Sequence, residues 1–559
     1  MEKILRIFSR EYGNVNQAAL LLGSFAFLSQ VLGLFRDRSF AHFIGPSSTL
    51  DAYYAAFRIP DFIFISVASL ASITVLIPFL LSKMSGDEVT KEARKFLDDI
   101  FTVFLLAMVC VSLLAFILMP YLTNYTAPGF SPEIQKNVID LSRVMLLSPI
   151  LLGLSNLFGS ITQLFRKFLI YALSPVFYNL GIIIGVLFLF PVWGIKGLAL
   201  GVVLGSLMHF GIQVLASIES GFSPRFSWSP DFNEVKRVVM VSLPRTLGLS
   251  FNNIALIAIV AFASYLKGGS ISIFNLSLNL QSVPLGIIGL SYAVAAFPTL
   301  TKSYAKGEIK EFEEHLRFAA RQIIFWSLPV TFLFIVLRAQ IVRVILGSGS
   351  FSWDNTRLVA ASLAIFSISI VAQGLIALFA RAYYARGDTR RPLLINFLAS
   401  ASIVLFTFTF LHIFKSQPNF LYFIESLLKV SDIPGTEVLM LPLAYSLGTI
   451  INFALLWFFI KRDFMHGEHF ISRTFFQSLS ASFIIGAVAY FSLNILSPIF
   501  GTTTFWGIFL QGFISAIVGS LAGALVLYLL KNEELGDLVE TLRTKFWHVK
   551  VIAPTQEGL

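Results

Sequence analysis

Six ionisable residues, Arg36, Asp37, Arg38, Asp51, Arg58 and Asp61, lie in or beside the first two strongly apolar stretches of the chain. A charge placed in hydrocarbon is costly and is usually kept for function. Arginine suits a phosphate or pyrophosphate, because its planar fork donates paired hydrogen bonds. Asp51 can hold such an arginine in position or bind a coupling cation. Asp37 and Arg38 equally fit a solvated loop between the two stretches. Further along, Asp140 and Arg143 open the fourth apolar stretch, and Arg245 follows Pro244 at the start of the seventh. Helix-end snorkelling accounts for these positions, and Arg245 is also a candidate for a cavity. Asn252, Asn253, Asn275, Asn279 and Gln281 can line the same cavity or hydrogen-bond between helices.

Other chemistry is thin. His466 and His469 sit in a His-Gly-Glu-His loop whose spacing could hold a metal, but it reads as a solvated loop. Cys110, the single cysteine, lies inside an apolar run and reads as a small core residue. There is no acid–base constellation and no glycine-rich phosphate loop. The chain therefore reads as a non-enzyme with no catalytic residue, metal site or cofactor. ATP-driven transport by this chain alone is not expected.

The elements that must position these residues are membrane helices. Of 559 residues, 56% are hydrophobic and 13% charged, about half the charged share of soluble proteins. The mean hydropathy is +0.80. A span needs roughly 20 apolar residues and must satisfy its own backbone hydrogen bonds. The runs place spans at 17–44, 54–82, 97–123, 137–164, 169–190, 196–219, 238–266, 273–301, 316–339, 357–384, 392–414, 438–460, 474–496 and 503–530. The alternating polarity of an outer-membrane barrel is not found. No cleavable signal peptide is evident. Residues 420–428, in the longest outside loop, read as a short interfacial helix.

Loop charge orients the bundle. Of 41 Lys and Arg, about 28 fall on the side of the termini and about 9 on the other, as the positive-inside rule expects. The chain is thus expected in a bacterial cytoplasmic (inner) membrane, multi-pass, with both termini cytoplasmic. The net charge of +10 reads as topology and contact with membrane lipids, not as binding of nucleic acid.

The chain also repeats itself. Gly153-Leu154-x-x-Leu157-Phe158 recurs as Gly374-Leu375-x-x-Leu378-Phe379, and Pro175-x-x-x-Asn179 as Pro392-x-x-x-Asn396. Pro60 and Pro78 in the second span have counterparts in Pro284 and Pro298 in the eighth. The offset of six helices implies parallel repeats, a transporter plan with the site between lobes. The expected architecture is an all-α membrane protein of about 14 transmembrane helices, two six-helix lobes plus two C-terminal helices. The N-terminal lobe is 1–220 and the C-terminal lobe 221–461. Spans 13 and 14 occupy 462–530, and a cytoplasmic tail 531–559.

Four stretches carry a family resemblance. They are Val31-Leu32-Gly33-x-x-Arg36-Asp37, Asp51-Ala52-Tyr53-x-x-Ala56-Phe57-Arg58-Ile59-Pro60, Thr126-Ala127-Pro128-Gly129-Phe130, and Tyr384-Ala385-Arg386-Gly387-Asp388-Thr389-x-x-Pro392. In order and spacing they resemble the MurJ family of lipid II flippases. The resemblance implies movement of lipid II, the undecaprenyl-pyrophosphate-linked peptidoglycan precursor, from the cytoplasmic to the periplasmic leaflet by alternating access. It implies a cationic cavity between two lobes, a lipid-tail groove at spans 13 and 14, and cell-wall synthesis machinery as partner. Arg36 and Asp51 match residues important in the family.

Five positions depart from it. Gln30 stands where an arginine is usual, Phe64 and Ile65 where a basic pair is usual, Ser69 where an acid is usual, and Asn279 where an arginine faces substrate. Each lost arginine removes charge-assisted bonds worth roughly 1.5–3 kcal/mol apiece. The substrate-binding set is therefore expected among Arg36, Asp51, Arg38, Arg58, Arg245, Asn279 and Gln30. The alternative function is a cation-coupled exporter of another lipid-linked glycan or of small amphipathic compounds.

Overall fold

A computed structural model describes residues 15–68, 73–84, 90–165, 167–219, 224–464 and 472–547; within its helices, the side chains of residues 15–20, 73–75, 244–245 and 541–547 are not described. His466, His469 and Ser69 lie outside the described residues. No strand occurs among the described residues, and all fourteen expected segments carry helix, from Val15–Phe43 to Phe505–Leu529. Eleven of the described helices are long and apolar enough to cross a membrane, or twelve if Trp353–Ser367 and Ile370–Ala385 count as one span. The protein is an all-α, multi-pass membrane protein, and fourteen is an approximate count. Of the two segments outside that tally, the first is the 29-residue helix Val15–Phe43 and the second is broken.

The break has a local cause. Ser47 caps helix Ser48–Ala56 by accepting the Leu50 N–H. The next helix, Arg58–Ile63, contains Pro60, which has no N–H to donate to the Ala56 carbonyl four residues earlier. The Ser142 hydroxyl donates to that carbonyl at 3.1 Å, so the group stays satisfied away from water. A π turn, Phe64–Ala68, follows. In the eighth span another π turn, Leu285–Leu290, directly follows Pro284. The proline echo between spans 2 and 8 is thus matched by an echo in backbone irregularity.

The chain forms two compact units. The first comprises Met1–Val283, Val342–Ser369 and Gly387–Leu456. In it, helices Phe168–Ile184 and Ile195–Glu219 pack through glycine: a Cβ on Gly185 would come within 2.6 Å of the Gly201 Cα. Small residues bring membrane helices this close. Helix Leu147–Leu164 bonds to the same helix Ile195–Glu219 through polar side chains: Ser148 meets Ser206 at 2.6 Å, Ser155 meets His209 at 2.7 Å, and Thr162 donates to Gln213 at 2.9 Å. A short helix, Pro418–Leu428, occupies the segment expected to be one. Its loop is tied down by Arg357, which donates to both carboxylate oxygens of Asp432. Those bonds hold the Asp432 carboxyl below its ordinary range.

The second unit comprises Pro284–Ile341, Ile370–Arg386 and Trp457–Leu559. Its charges gather at one end of its helices. Arg321 pairs with Glu533 and Glu534 at 2.5 Å each, Arg473 reaches Glu533 at 3.1 Å, and Thr474 donates to Glu534 at 2.7 Å. This clamp fastens helix Glu533–Trp547, the start of the expected tail, to helices Ile309–Val336 and Ser472–Phe500. Burial alone would raise the Glu534 carboxyl; the bonds from Thr474 and Arg321 outweigh it and hold the group below the usual range.

Candidate functional site

The charges of the first two spans converge on one stripe of the eighth. Ser272, Asn275 and Asn279 lie at i, i+3 and i+7 on helix Ser270–Pro284, hence on one face. Each receives one of the expected site groups, and all of them belong to the first compact unit.

At the top of the stripe, Asp51 accepts the Gly269 N–H at 2.7 Å, the Ser272 N–H at 2.7 Å and the Ser272 hydroxyl at 2.6 Å. These are the unpaired donors of a helix N-terminus, where a carboxylate is favoured by both hydrogen bonding and the helix dipole. Asp51 is buried and forms no ion pair with an arginine among the described residues. Its observed work is to fasten the start of the second span to the start of the eighth.

In the middle, Arg58 is buried and donates to the Asn275 side-chain oxygen at 2.6 Å. Its Nε has no hydrogen-bond partner among the described residues, and the same holds for the buried Tyr54 hydroxyl one turn earlier and for both polar atoms of Gln281. Tyr54 lies within electrostatic range of Arg36, Asp37 and Arg58. Buried polar groups are nearly always bonded, so unmatched donors beside a cation suit an acceptor-rich anionic ligand.

At the bottom, Arg36 and Asp37 form the most connected cluster. Arg36 donates to Asp37 Oδ1 from Nε at 2.9 Å and from a terminal nitrogen at 2.8 Å, and to Asn179 at 3.2 Å. Asp37 Oδ2 accepts from Asn279 at 3.0 Å. Asn179 in turn donates to Ser29 Oγ and to the Pro175 carbonyl, both at 3.2 Å. Asp37 is 2% exposed and Arg36 22%. The carboxylate is enclosed, whereas the arginine side chain is partly exposed. Three of its five N–H groups are engaged here, which leaves donors for an anion. Asp37 is therefore no solvated loop residue but the buried counter-charge of Arg36.

The remaining expected residues stand apart. Arg38 donates to the carbonyls of Val344 and Ile345 at 2.8 and 3.0 Å, closing the end of helix Arg338–Leu346. Gln30 is half-buried and takes no part in the Arg36 cluster. Arg245 lies in helix Phe232–Ala263, and its side chain is outside the described set. Phe64 and Ile65 fall in the π turn of the second span. Asn179 and Tyr54 are additions from the structure. Asn179 had a sequence signal, the repeated Pro-x-x-x-Asn motif, whereas nothing in the sequence distinguishes Tyr54 from other interfacial tyrosines.

A model of the lipid II flippase MurJ family matches residues 40–510. A probable lipid II flippase MurJ of Rhizobium tropici is 27% identical over 398 residues, 68% of this chain and 73% of that protein. One from Thermotoga maritima is 26% identical over 68% of this chain and 76% of its own length. The solved structure of a lipid II flippase MurJ in an inward closed conformation superposes with a TM-score of 0.72 at 22% identity, covering 93% of this chain and all of that one. A multidrug resistance MATE family transporter of the MOP superfamily, inward-facing, shares the fold at a TM-score of 0.61 and 15% identity, over 79% of this chain and 98% of its own. Its outward-facing counterpart has a TM-score of 0.55 at 13% identity, over 83% of this chain and 98% of its own. From the family match over most of its length, the chain belongs to the MurJ family of lipid II flippases.

Proposed function

We propose that this protein is a flippase that moves lipid II from the cytoplasmic to the periplasmic leaflet by alternating access. The observation that carries this reading is the Arg36–Asp37–Asn279 cluster: a partly exposed arginine held by a buried carboxylate inside a membrane bundle. A pyrophosphate has the charge and the paired acceptor geometry to take the remaining N–H donors of Arg36. Arg58, with its unmatched Nε and Tyr54 beside it, offers a second cationic contact. Asn279 matters here for what it does not add. An arginine at that position would compete with Arg36 for Asp37, whereas the amide leaves the carboxylate paired with one cation only.

The sequence repeat supports lobes at 1–220 and 221–461, with 462–530 as an added helix pair. On that division, all three contacts along the Ser272–Asn275–Asn279 stripe join the N-terminal lobe to the C-terminal lobe within one compact unit. Those bonds would break and re-form as the lobes rock. Asp51 would then act as a positioning residue at the lobe junction, and Arg38 as a brace. Loop charge supports cytoplasmic termini in a bacterial inner membrane. Cell-wall synthesis enzymes are the expected neighbours, because the product leaflet is where their substrate is consumed. The protein acts as a transporter, with no step of covalent chemistry.

Complementation tests the reading. In a bacterium depleted of its own flippase, the full chain restores growth and prevents lysis. Failure of a well-inserted protein, together with ion-gradient-dependent efflux of cationic compounds, would favour the exporter alternative instead.

A further inference from the structure

The connection between the sixth and seventh spans is held in place by hydrogen bonds. Asp98 accepts the Arg225 N–H at 2.6 Å, and Thr102 accepts the Ser227 N–H at 2.8 Å. Asp99, buried at the end of the third span, accepts the Ser227 hydroxyl at 2.6 Å and the Asp231 N–H at 3.1 Å. Asp231 in turn caps helix Phe232–Ala263 by accepting the Asn233 N–H at 2.9 Å. Residues 225–231 therefore run as a fixed strap whose backbone N–H groups point inward onto helix Lys91–Thr126.

With the backbone turned inward, the large side chains face out. Trp228 is 91% exposed, Phe232 68% and Phe226 44%, and the rings of Phe226 and Trp228 meet edge to face at 5.0 Å. Phe232, Lys236 and Met240, at i, i+4 and i+8, form one exposed stripe. Further along the same helix, Val241, Leu247 and Leu249 are also exposed. The acids nearby are occupied: Asp98, Asp99 and Asp231 by N–H and hydroxyl donors, and Glu234 by Lys83 at 3.2 Å and Arg237 at 3.3 Å. Arg225, Lys236 and Arg237 remain exposed around the rings.

We infer that this strap is a membrane-interface anchor, with Phe226, Trp228 and Phe232 seated at headgroup depth and Arg225, Lys236 and Arg237 on anionic lipid phosphates of the cytoplasmic leaflet. The amphipathic indole of Trp228 is the ring type that concentrates at that depth, the apolar Phe226 and Phe232 rings lie beside it, and basic residues next to them gain from the negative leaflet surface. The exposed apolar residues that follow on the same helix, which continues into the apolar stretch Thr246–Ala263, favour a lipid surface over a protein partner, which would need a patch set off from the bilayer. The side of the membrane follows the orientation proposed above, whereas the seating in headgroups stands without it.

The test uses the full chain in nanodiscs of phosphatidylcholine, with and without phosphatidylglycerol, compared with Trp228→Phe. The difference in fluorescence isolates Trp228 among seven tryptophans. The expected result is quenching of that component by lipids brominated near the headgroup and shielding from aqueous iodide. Replacing Arg225, Lys236 and Arg237 by Gln lowers retention of phosphatidylglycerol by about five-fold per cation, and added salt removes the difference. Trp228 quenched by iodide and untouched by brominated lipid would overturn the anchor and point to a protein partner. Retention unchanged in the Gln variants would overturn the anionic-lipid contact. Neither outcome bears on lipid II transport, which complementation reads separately.

Discussion

The two copies of the Pro-x-x-x-Asn motif do different work in the same compact unit. Asn179, in the fifth span, accepts from Arg36 and donates to Ser29. Asn396, in the eleventh, accepts from Asn452 at 3.0 Å. One copy supports a charged cluster and the other a neutral amide pair. The repeat therefore duplicated a scaffold position, and only the first copy carries the cation. Duplicated geometry need not carry duplicated chemistry, and the anion-binding function is expected in the first copy alone.

The largest break in this comparison comes from Arg36. Arg36→Ala leaves Asp37 buried without its counter-charge, and loss of one partner of such a pair costs about 3 kcal/mol or more. Both thermal stability and complementation are expected to fall. The double variant Arg36→Ala with Asp37→Asn recovers most of the stability, measured by unfolding in detergent, but no complementation. Recovery of both would mean the pair is only structural.

Asp51→Asn comes next. It keeps the shape but loses the charge at the start of helix Ser270–Pro284, a change of about 1–2 kcal/mol. The melting temperature drops while affinity for lipid II, measured on the folded fraction, stays within about two-fold. A selective loss of affinity would move Asp51 into the substrate contact.

The asparagines sharpen the contrast directly. Asn179→Ala loses the bonds to Arg36 and Ser29 and Asn396→Ala only the one from Asn452; at about 0.6 kcal/mol per interhelical bond, the melting temperature falls somewhat further for Asn179→Ala. Transport is expected to fall only for Asn179→Ala. Equal transport defects would mean that both copies serve the substrate.

The smallest effect is a pH dependence in the second unit. The Glu534 carboxyl is depressed below its ordinary value of 4.5 by Thr474 and Arg321, against the opposing pull of burial. A depressed acid stabilises the folded state above its unfolded pKa, and that contribution is lost as pH falls through the lower folded value. The clamp on helix Glu533–Trp547 therefore holds at neutral pH and loosens only below about 4.5. Proteolysis of the tail across that range follows it, and Glu534→Gln flattens the profile.

The helices were legible in the sequence because hydropathy and the length of a bilayer leave little choice. The break in the second span was not. Pro60 announces it, but the hydroxyl that makes it tolerable belongs to Ser142, far along the chain. The cluster was legible as a list of charges and not as a set of pairs. Asp37 and Arg38 are adjacent in sequence, yet one is the buried partner of Arg36 and the other closes a helix end. Asp51 read as a holder of an arginine or of a coupling cation, because carboxylates in membranes commonly pair with cations; among the described residues it accepts donors at a helix N-terminus. Asn275 and Asn279 were legible as polar residues of the eighth span, but nothing local marks Ser272 or reveals that spans 1 and 2 meet all three.

The most direct test of the central claim is the leaflet distribution of lipid II in cells depleted of their own flippase. The account predicts that the wild-type chain restores lipid II to the periplasmic leaflet, and that the Arg36→Ala, Asp37→Asn variant, inserted at equal level, leaves it on the cytoplasmic side. Lipid II reaching the periplasmic leaflet equally well with the double variant would contradict it.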